Sequence, residues 1–186
     1  MSTNVMERPV SAEEDIDSER QLVALHLGDE IYGIDIACIH TVITPQTITC
    51  VPRAPRFVKG VMNLRGRILP VIDLRARFGL PPLSEEQQKN VRIVIVDVQG
   101  LTAGLIVDAV SEVLRLPASS IDSPSRLVAS AETECIIGIG RIPGDRQSKD
   151  KSKQTEDRLI ILLDVYKTLT TDPTDADALR QLQIAA

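Results

Sequence analysis

Aromatic residues make up only 2% of this 186-residue chain, with two tyrosines, two phenylalanines and no tryptophan. That scarcity excludes the aromatic-lined grooves that hold proline-rich peptides. It also excludes the stacking platforms of single-strand nucleic-acid binders. The formal net charge is −5, so the chain as a whole offers no attractive field to nucleic acid or anionic lipid. Cysteine is sparse: Cys38, Cys50 and Cys135 are far apart, and no close Cys or His pair forms a zinc-ligand spacing. The expectation is three buried free thiols in a reducing cytosol, with no metal and no cofactor. No apolar run is long enough to cross a bilayer, and the first residues lack a charged-then-apolar secretory pattern. Gly138 and Gly140 have no phosphate-loop context.

Catalytic constellations are missing too. His26 and His40 have no nucleophile or paired acid nearby in sequence, and each reads as a surface histidine. Asp73 and Asp164 each close an apolar run, which fits carboxylates that accept backbone amides better than an acid/base pair. No residue is assigned a catalytic role. A small hydrolase would need a nucleophile–base pair that the chain does not display.

What is present is a repeat. Residues 22–43 and 93–114 share one pattern, with Gly33 opposite Gly104, Val23 opposite Val94, Ile39 opposite Val110 and Val42 opposite Val113. A second pair follows in the same order, RILPVIDL at 67–74 and RLIILLDV at 158–165, with Asp73 opposite Asp164. About twenty extra residues separate the two motifs in the second copy. Hydrophobic content of 43% is carried by Ile, Leu and Val, and the β-branched members favour strands. Tandem β-rich units point to two small packed subdomains that hold partners.

Residues 1–19 carry six acids against Arg8 alone and read as a disordered arm. The stretches 21–27 and 31–36 alternate and form a hairpin turning at Gly28. The spacing of Ile36, Ile39, Val42 and Ile43 predicts a short helical turn, repeated at 109–114. Residues 58–63 and 68–74 are strands around a tight turn at Arg65-Gly66, with Pro70 suited to an edge or a bulge. The segment 117–131 reads as irregular. The charged segment 141–157 interleaves Arg146, Lys149, Lys151 and Lys153 with four acids and reads as a solvated loop. A short helix over 175–186 would dock through Leu179 and Leu182. The resulting division places a first barrel at 20–83, a second at 90–170 with the 141–157 insertion, and a tail at 171–186.

Arg65-Gly66-Arg67 is the strongest candidate site. Two guanidinium groups beside a turn glycine and Asn63 offer planar donors to a carboxylate or a row of carbonyls. The second copy has no equivalent of Leu64-Arg65-Gly66. A solvated hairpin corner is the other reading of the same residues.

The stretch FVKGVMNLRGRILPVIDLR at 57–75 resembles the signature of the CheW family of chemotaxis coupling proteins. Gly28-Asp29-Glu30, Tyr32-Gly33-Ile34-Asp35-Ile36, Gly104-Leu105-Ile106-Val107-Asp108 and the run 158–164 agree with it. The resemblance covers about residues 21–169. It implies a mostly β fold of two five-stranded SH3-like barrels packed on a shared core, and a non-enzymatic adaptor. It implies two partners, the cytoplasmic tips of methyl-accepting chemoreceptors and the regulatory domain of a CheA-type histidine kinase. It also implies a cytoplasmic location at membrane-associated receptor arrays, without membrane insertion. On the receptor-facing region it places Ile39, Thr41, Val42, Lys59, Val61, Asn63, Leu64, Arg65 and Gly66. It assigns no kinase-contact residue by number. Family members often carry an acid where this chain has Thr41, and the 141–157 insertion is longer than usual. A pathway with a pilus or other output is an alternative, as is a general β-barrel peptide-binding module.

Overall fold

The computed structural model describes residues 19–123, 134–143, 157–170 and 173–183. The expected disordered arm falls outside these residues except for Glu19, as does most of the 141–157 insertion.

Eleven strands form two sheets among the described residues. They are β1 (Glu19–Leu27), β2 (Glu30–Asp35), β3 (Ile39–Ile43), β4 (Val58–Leu64), β5 (Arg67–Asp73), β6 (Arg92–Val98), β7 (Leu101–Val107), β8 (Ala109–Pro117), β9 (Ile121–Asp122), β10 (Ile136–Ile142) and β11 (Arg158–Leu163). One sheet runs β8-β1-β2-β11-β10-β9, and the other runs β3-β6-β7-β5-β4. Two α-helices follow strands, α1 (Leu74–Arg77) after β5 and α2 (Val165–Leu169) after β11, and α3 (Pro173–Leu182) comes after α2.

Each sheet curls over its own aliphatic filling. Leu22, Ala24, Leu116, Ile142, Ile160 and Leu162 fill the first, drawing on strands near both its edges. Met62, Leu69, Val71, Ile93 and Ile95 fill the second, with Ile43 packed against them from the opposite edge. The sheets are therefore barrel-like but open, with edge strands β8 and β9 in one and β3 and β4 in the other. A third and larger cluster joins them. Val23, Leu25 and Ile34 from one sheet meet Ile72, Val94, Val96 and Leu105 from the other, all nearly inaccessible to water. Alternation along each strand sends one face into its own barrel and the other into this shared core, which explains why the strands read as continuous apolar runs.

The repeat is realised as an exchange. The hairpin β1–β2 of the first copy pairs in parallel with β11 of the second, Leu162 opposite Gly33. The hairpin β6–β7 of the second copy pairs in parallel with β5 of the first, Val71 opposite Gly104. Gly33 and Gly104 are repeat equivalents, and so are Val71 and Leu162, so the two joints are the same joint made twice. The boundary expected near residue 84 is thus crossed by strands: β6 and β7 complete the sheet of β3–β5, while β1 and β2 join β8–β11. Sequence order alone cannot show this, because either partner strand satisfies the same apolar pattern.

Four local expectations change. Only Ile36–Cys38 is helical, as one 3-10 turn, and Ile39–Ile43 is β3. Likewise 109–114 belongs to strand β8, which runs on to Pro117 and is followed by the short β9 within the segment expected to be irregular. The helix-like spacing comes from a bulge. Ile39 pairs with Val96 and Thr41 with Ile95, so His40 is an extra residue that puts Ile39 and Val42 on one face. Pro70 lies on β5, which is not an edge strand, but pairing with β7 begins only at Val71. Its missing amide therefore breaks no ladder on that side. Cys50 is exposed, and only Cys135 is fully buried.

Asp73 and Asp164 both sit at helix starts. Asp73 accepts the amides of Arg75 (3.0 Å) and Ala76 (3.2 Å), and Asp164 accepts that of Lys167 (3.0 Å). Each satisfies helix amides that would otherwise lack a partner. Replacing either with alanine is expected to cost about 1 kcal/mol, with Asp73→Ala the larger loss because two amides depend on it. Urea denaturation of the two variants measures the order. α3 closes the shared core with Ala176 and Leu179 buried and Leu182 packed against it.

Candidate functional site

The hairpin between β4 and β5 turns in two residues, Arg65 at φ 53° and Gly66 at φ 86°. Both φ angles are positive, as a tight turn between right-twisted strands requires. Glycine meets that demand without strain, whereas arginine is disfavoured in the left-handed region. The Asn63 side chain accepts the Gly66 amide at 2.8 Å and fixes the corner. Asn63, Arg65, Gly66 and Arg67 are exposed, while Leu64 turns inward onto the barrel filling. Gln99 precedes Gly100 in the same conformation at the β6–β7 turn, with φ 51°. The guanidinium stands clear of any ion pair among the described residues and is free to meet a carboxylate or carbonyl.

The other expected residues separate into two places. Ile39, Thr41 and Val42 lie on β3, the free edge of the same sheet. Lys59 and Val61 lie on β4, the opposite edge strand. Val61 exchanges both backbone bonds with Thr49 at 2.8 Å, so that edge is already taken up locally. Lys59 lines a cavity of about 500 Å³ together with Asp73, Arg75 and Asp108, whose lining includes none of the corner residues.

The bulge on β3 gives Ile39 and Val42 a common direction. Their partners Val96 and Val94 belong to the shared core, so both side chains face the space between the barrels. β8 does the same thing on the other sheet. Val110 pairs with Leu25 and Val113 with Val23, both core residues, across an equivalent bulge. Val42 is 39% exposed and Val113 is 53% exposed. Two edge strands thus carry matched, water-exposed valines at the rim of one core. Sequence reasoning left Val110 and Val113 out of the site, although the repeat already aligned them with Ile39 and Val42.

Arg75 ties the two copies together. Its guanidinium pairs with Asp108, and its Nε donates to the Pro81 carbonyl at 2.7 Å. Asp108 also accepts the Gly28 amide at 2.7 Å. The ends of two signature stretches, 57–75 and 104–108, therefore meet in one partly buried ion pair between the barrels.

Burial pushes the thiols of Cys135 and Cys38 up, with Asp35 and Asp164 adding to the rise at Cys38. Burial and then the bond to Glu30 likewise raise the phenol of Tyr32. These are acids whose neutral forms the fold favours. The two thiols' contribution to stability is retained below the ordinary thiol value of 9.0 and declines as pH climbs past it. Among the described residues no group of three His, Cys, Asp or Glu side chains could hold a metal ion. No described helix is long and apolar enough to cross a membrane.

Comparison with known proteins gives the geometry a context. A family model for the CheW-like domain matches residues 21–172. The chain is 33% identical over 162 residues to the chemotaxis protein CheW of Helicobacter pylori, covering 87% of this chain and 88% of that one. It is 31% identical over 153 residues to the chemotaxis protein CheW of Klebsiella aerogenes, covering 82% and 83%. Among solved structures it is similar to the scaffolding protein TtCheW from Thermoanaerobacter tengcongensis. That match has a TM-score of 0.66 and 36% identity, covering 82% of this chain and 94% of that one.

Proposed function

The chain belongs to the CheW family and is a non-catalytic adaptor of chemotaxis signalling, and from that premise we propose how it holds its partners. It couples the cytoplasmic tips of chemoreceptors to the regulatory domain of a CheA-type histidine kinase. The receptor's helical tip lies against half-buried Ile39 and exposed Val42 of β3, with exposed Val113 of β8 extending the same apolar rim. Arg65 fixes orientation by hydrogen bonding from the corner, which Asn63, Leu64 and Gly66 shape. Thr41 lies beside Val42 and offers a hydroxyl in place of the carboxylate common in the family. Lys59 and Val61 contribute from the opposite edge strand only if the tip spans the barrel.

The observation that carries this reading is the arginine held at positive φ on an exposed corner that the second copy lacks. A separate sheet edge binds the kinase's homologous barrels. Each contact is modest, and a linked array raises the effective concentration of every partner, so weak pairs suffice. This places the protein in the cytoplasm, recruited to membrane-associated arrays through its partners. Pairwise pull-downs test the two-surface claim. Immobilised chain is expected to retain a receptor-tip fragment and a kinase regulatory domain together. Mutual exclusion of the two would contradict separate surfaces.

A further inference from the structure

A bulge in β4 aims a cation into an apolar cavity. Val58 pairs with Ile72 and Gly60 with Val71, so Lys59 is an extra residue on β4. Such a bulge re-aims the side chain of its extra residue. The two 2.8 Å bonds between Thr49 and Val61 hold the strand just beyond it. Lys59 lines the cavity of about 500 Å³ shared with Asp73, Arg75 and Asp108. That volume falls within the roughly 300–1,000 Å³ typical of small-molecule sites.

The walls of this cavity are aliphatic. They include Ala76 of α1, Leu80, Pro82 and Leu83 of the linker between the copies, Val91, and Ile106 of β7. No aromatic side chain lines it. The linker wall is held in place from α1. The Leu80 amide donates to the Arg75 carbonyl at 2.8 Å, and the Pro81 carbonyl accepts from Arg75 Nε at 2.7 Å. Pro81 and Pro82 fix their own φ angles. A ligand therefore meets a wall that is already shaped, and loses little in ordering it.

One charge in the cavity lacks a counterpart. Asp73 accepts two amides of α1, and Asp108 pairs with Arg75. Lys59 takes part in no ion pair among the described residues. A single unneutralised cation beside aliphatic walls matches a ligand with one negative charge and a hydrocarbon body. A dianion would bring a second negative charge close to Asp73 and Asp108. The neighbouring cavity of about 570 Å³ shares Arg75 and Asp108 but adds Asp29 and Glu30, three acids against one cation, so it disfavours any anion.

We propose that the Lys59 cavity binds an aliphatic monocarboxylate, with the carboxylate at Lys59 and the hydrocarbon tail against the linker wall. Lys59 is exposed, so the head stays hydrated at the mouth while the tail leaves water. The site does not depend on the receptor assignment, and no receptor enters its test.

Amide and methyl NMR spectra of the full chain, titrated with sodium octanoate, test it. Saturable shifts are expected at Lys59, Ala76, Leu83, Val91 and Ile106, and none at Gly28 or Asp29. Sodium acetate carries the same head without the tail, and octylammonium carries the same tail with the opposite charge. Each should bind at least several-fold more weakly than octanoate. Lys59→Gln is expected to weaken octanoate binding about fivefold, the share of one exposed ion pair, and Lys59→Arg to keep it. Both variants retain the fold, because the side chain is exposed. Acetate that shifts the same residues as strongly as octanoate would assign the site to any carboxylate, an acidic side chain of a partner included, and would overturn the proposal. Equal binding of octylammonium at these residues, or unchanged octanoate affinity in Lys59→Gln, would overturn it as well.

Discussion

Gly60→Ala is expected to cost the protein about 4 kcal/mol of folding stability, from backbone strain and overpacking together. Gly60 has φ 151°, and an added Cβ would sit 2.2 Å from the Thr49 carbonyl oxygen and 2.8 Å from its carbon. Those are backbone atoms held by two 2.8 Å bonds between Thr49 and Val61, so they cannot swing aside as a side chain would. The loss is a large fraction of the roughly 5–15 kcal/mol that holds a native protein folded. Gly66→Ala is the control. Gly66 also has positive φ, but nothing lies within 4 Å of its missing Cβ, so only the conformational term of about 1–2 kcal/mol applies. Guanidinium denaturation separates them. A loss below about 1 kcal/mol for Gly60→Ala would show that the Thr49 bridge is not needed to complete the barrel.

Arg65→Glu is expected to weaken receptor-tip binding more than tenfold while leaving the melting temperature within about 2 °C, because an exposed surface change of this kind is nearly neutral for folding. The sharper comparison is Arg65→Asn. Asparagine tolerates positive φ where arginine does not, so Arg65→Asn is expected to stabilise the fold by roughly 0.5–1 kcal/mol. It should nevertheless lose binding as Arg65→Glu does. Opposite signs for stability and function at one residue mark a side chain kept for recognition at a cost to the fold. If Arg65→Asn binds as tightly as the parent chain, the guanidinium is not the orienting group.

Much of this was legible from residue pattern. The aliphatic repeat announced two packed β units, and the resemblance to the family implied their shared core. The Arg65-Gly66 turn was legible from its glycine, and the roles of Asp73 and Asp164 from their matched positions. What the pattern could not carry was strand exchange. β5 and β11 each accept the other copy's hairpin, and the apolar pattern is the same for either partner. The helical reading of Ile36, Ile39 and Val42 failed for a related reason. A single extra residue at His40 restores a common face after three positions, which in sequence looks like a turn of helix. The same bulge recurs in β8, so the exposed pair Val42 and Val113 was present in the alignment but had no spatial meaning until both strands proved to be edges. The positive φ of Arg65 has no sequence signal beyond the glycine that follows it.

The pair Arg75–Asp108 shows how signature residues can serve the frame as well as the site. Neither residue belongs to the Arg65 corner proposed to meet the receptor. Their contact joins α1 of the first copy to the β7–β8 junction of the second, and the Gly28 amide adds the β1–β2 turn. A scaffold that must present two surfaces at once needs its halves held in fixed relation. A partly buried ion pair with a backbone donor does so at one point.

The bridging role itself is most directly tested by co-sedimentation of the kinase with receptor-bearing membranes, with and without this chain. Kinase should pellet when the parent chain is added, stay in the supernatant without it, and stay there with Arg65→Glu although that variant still binds free kinase. Kinase that pellets equally in all three mixtures would mean that this protein is not the link.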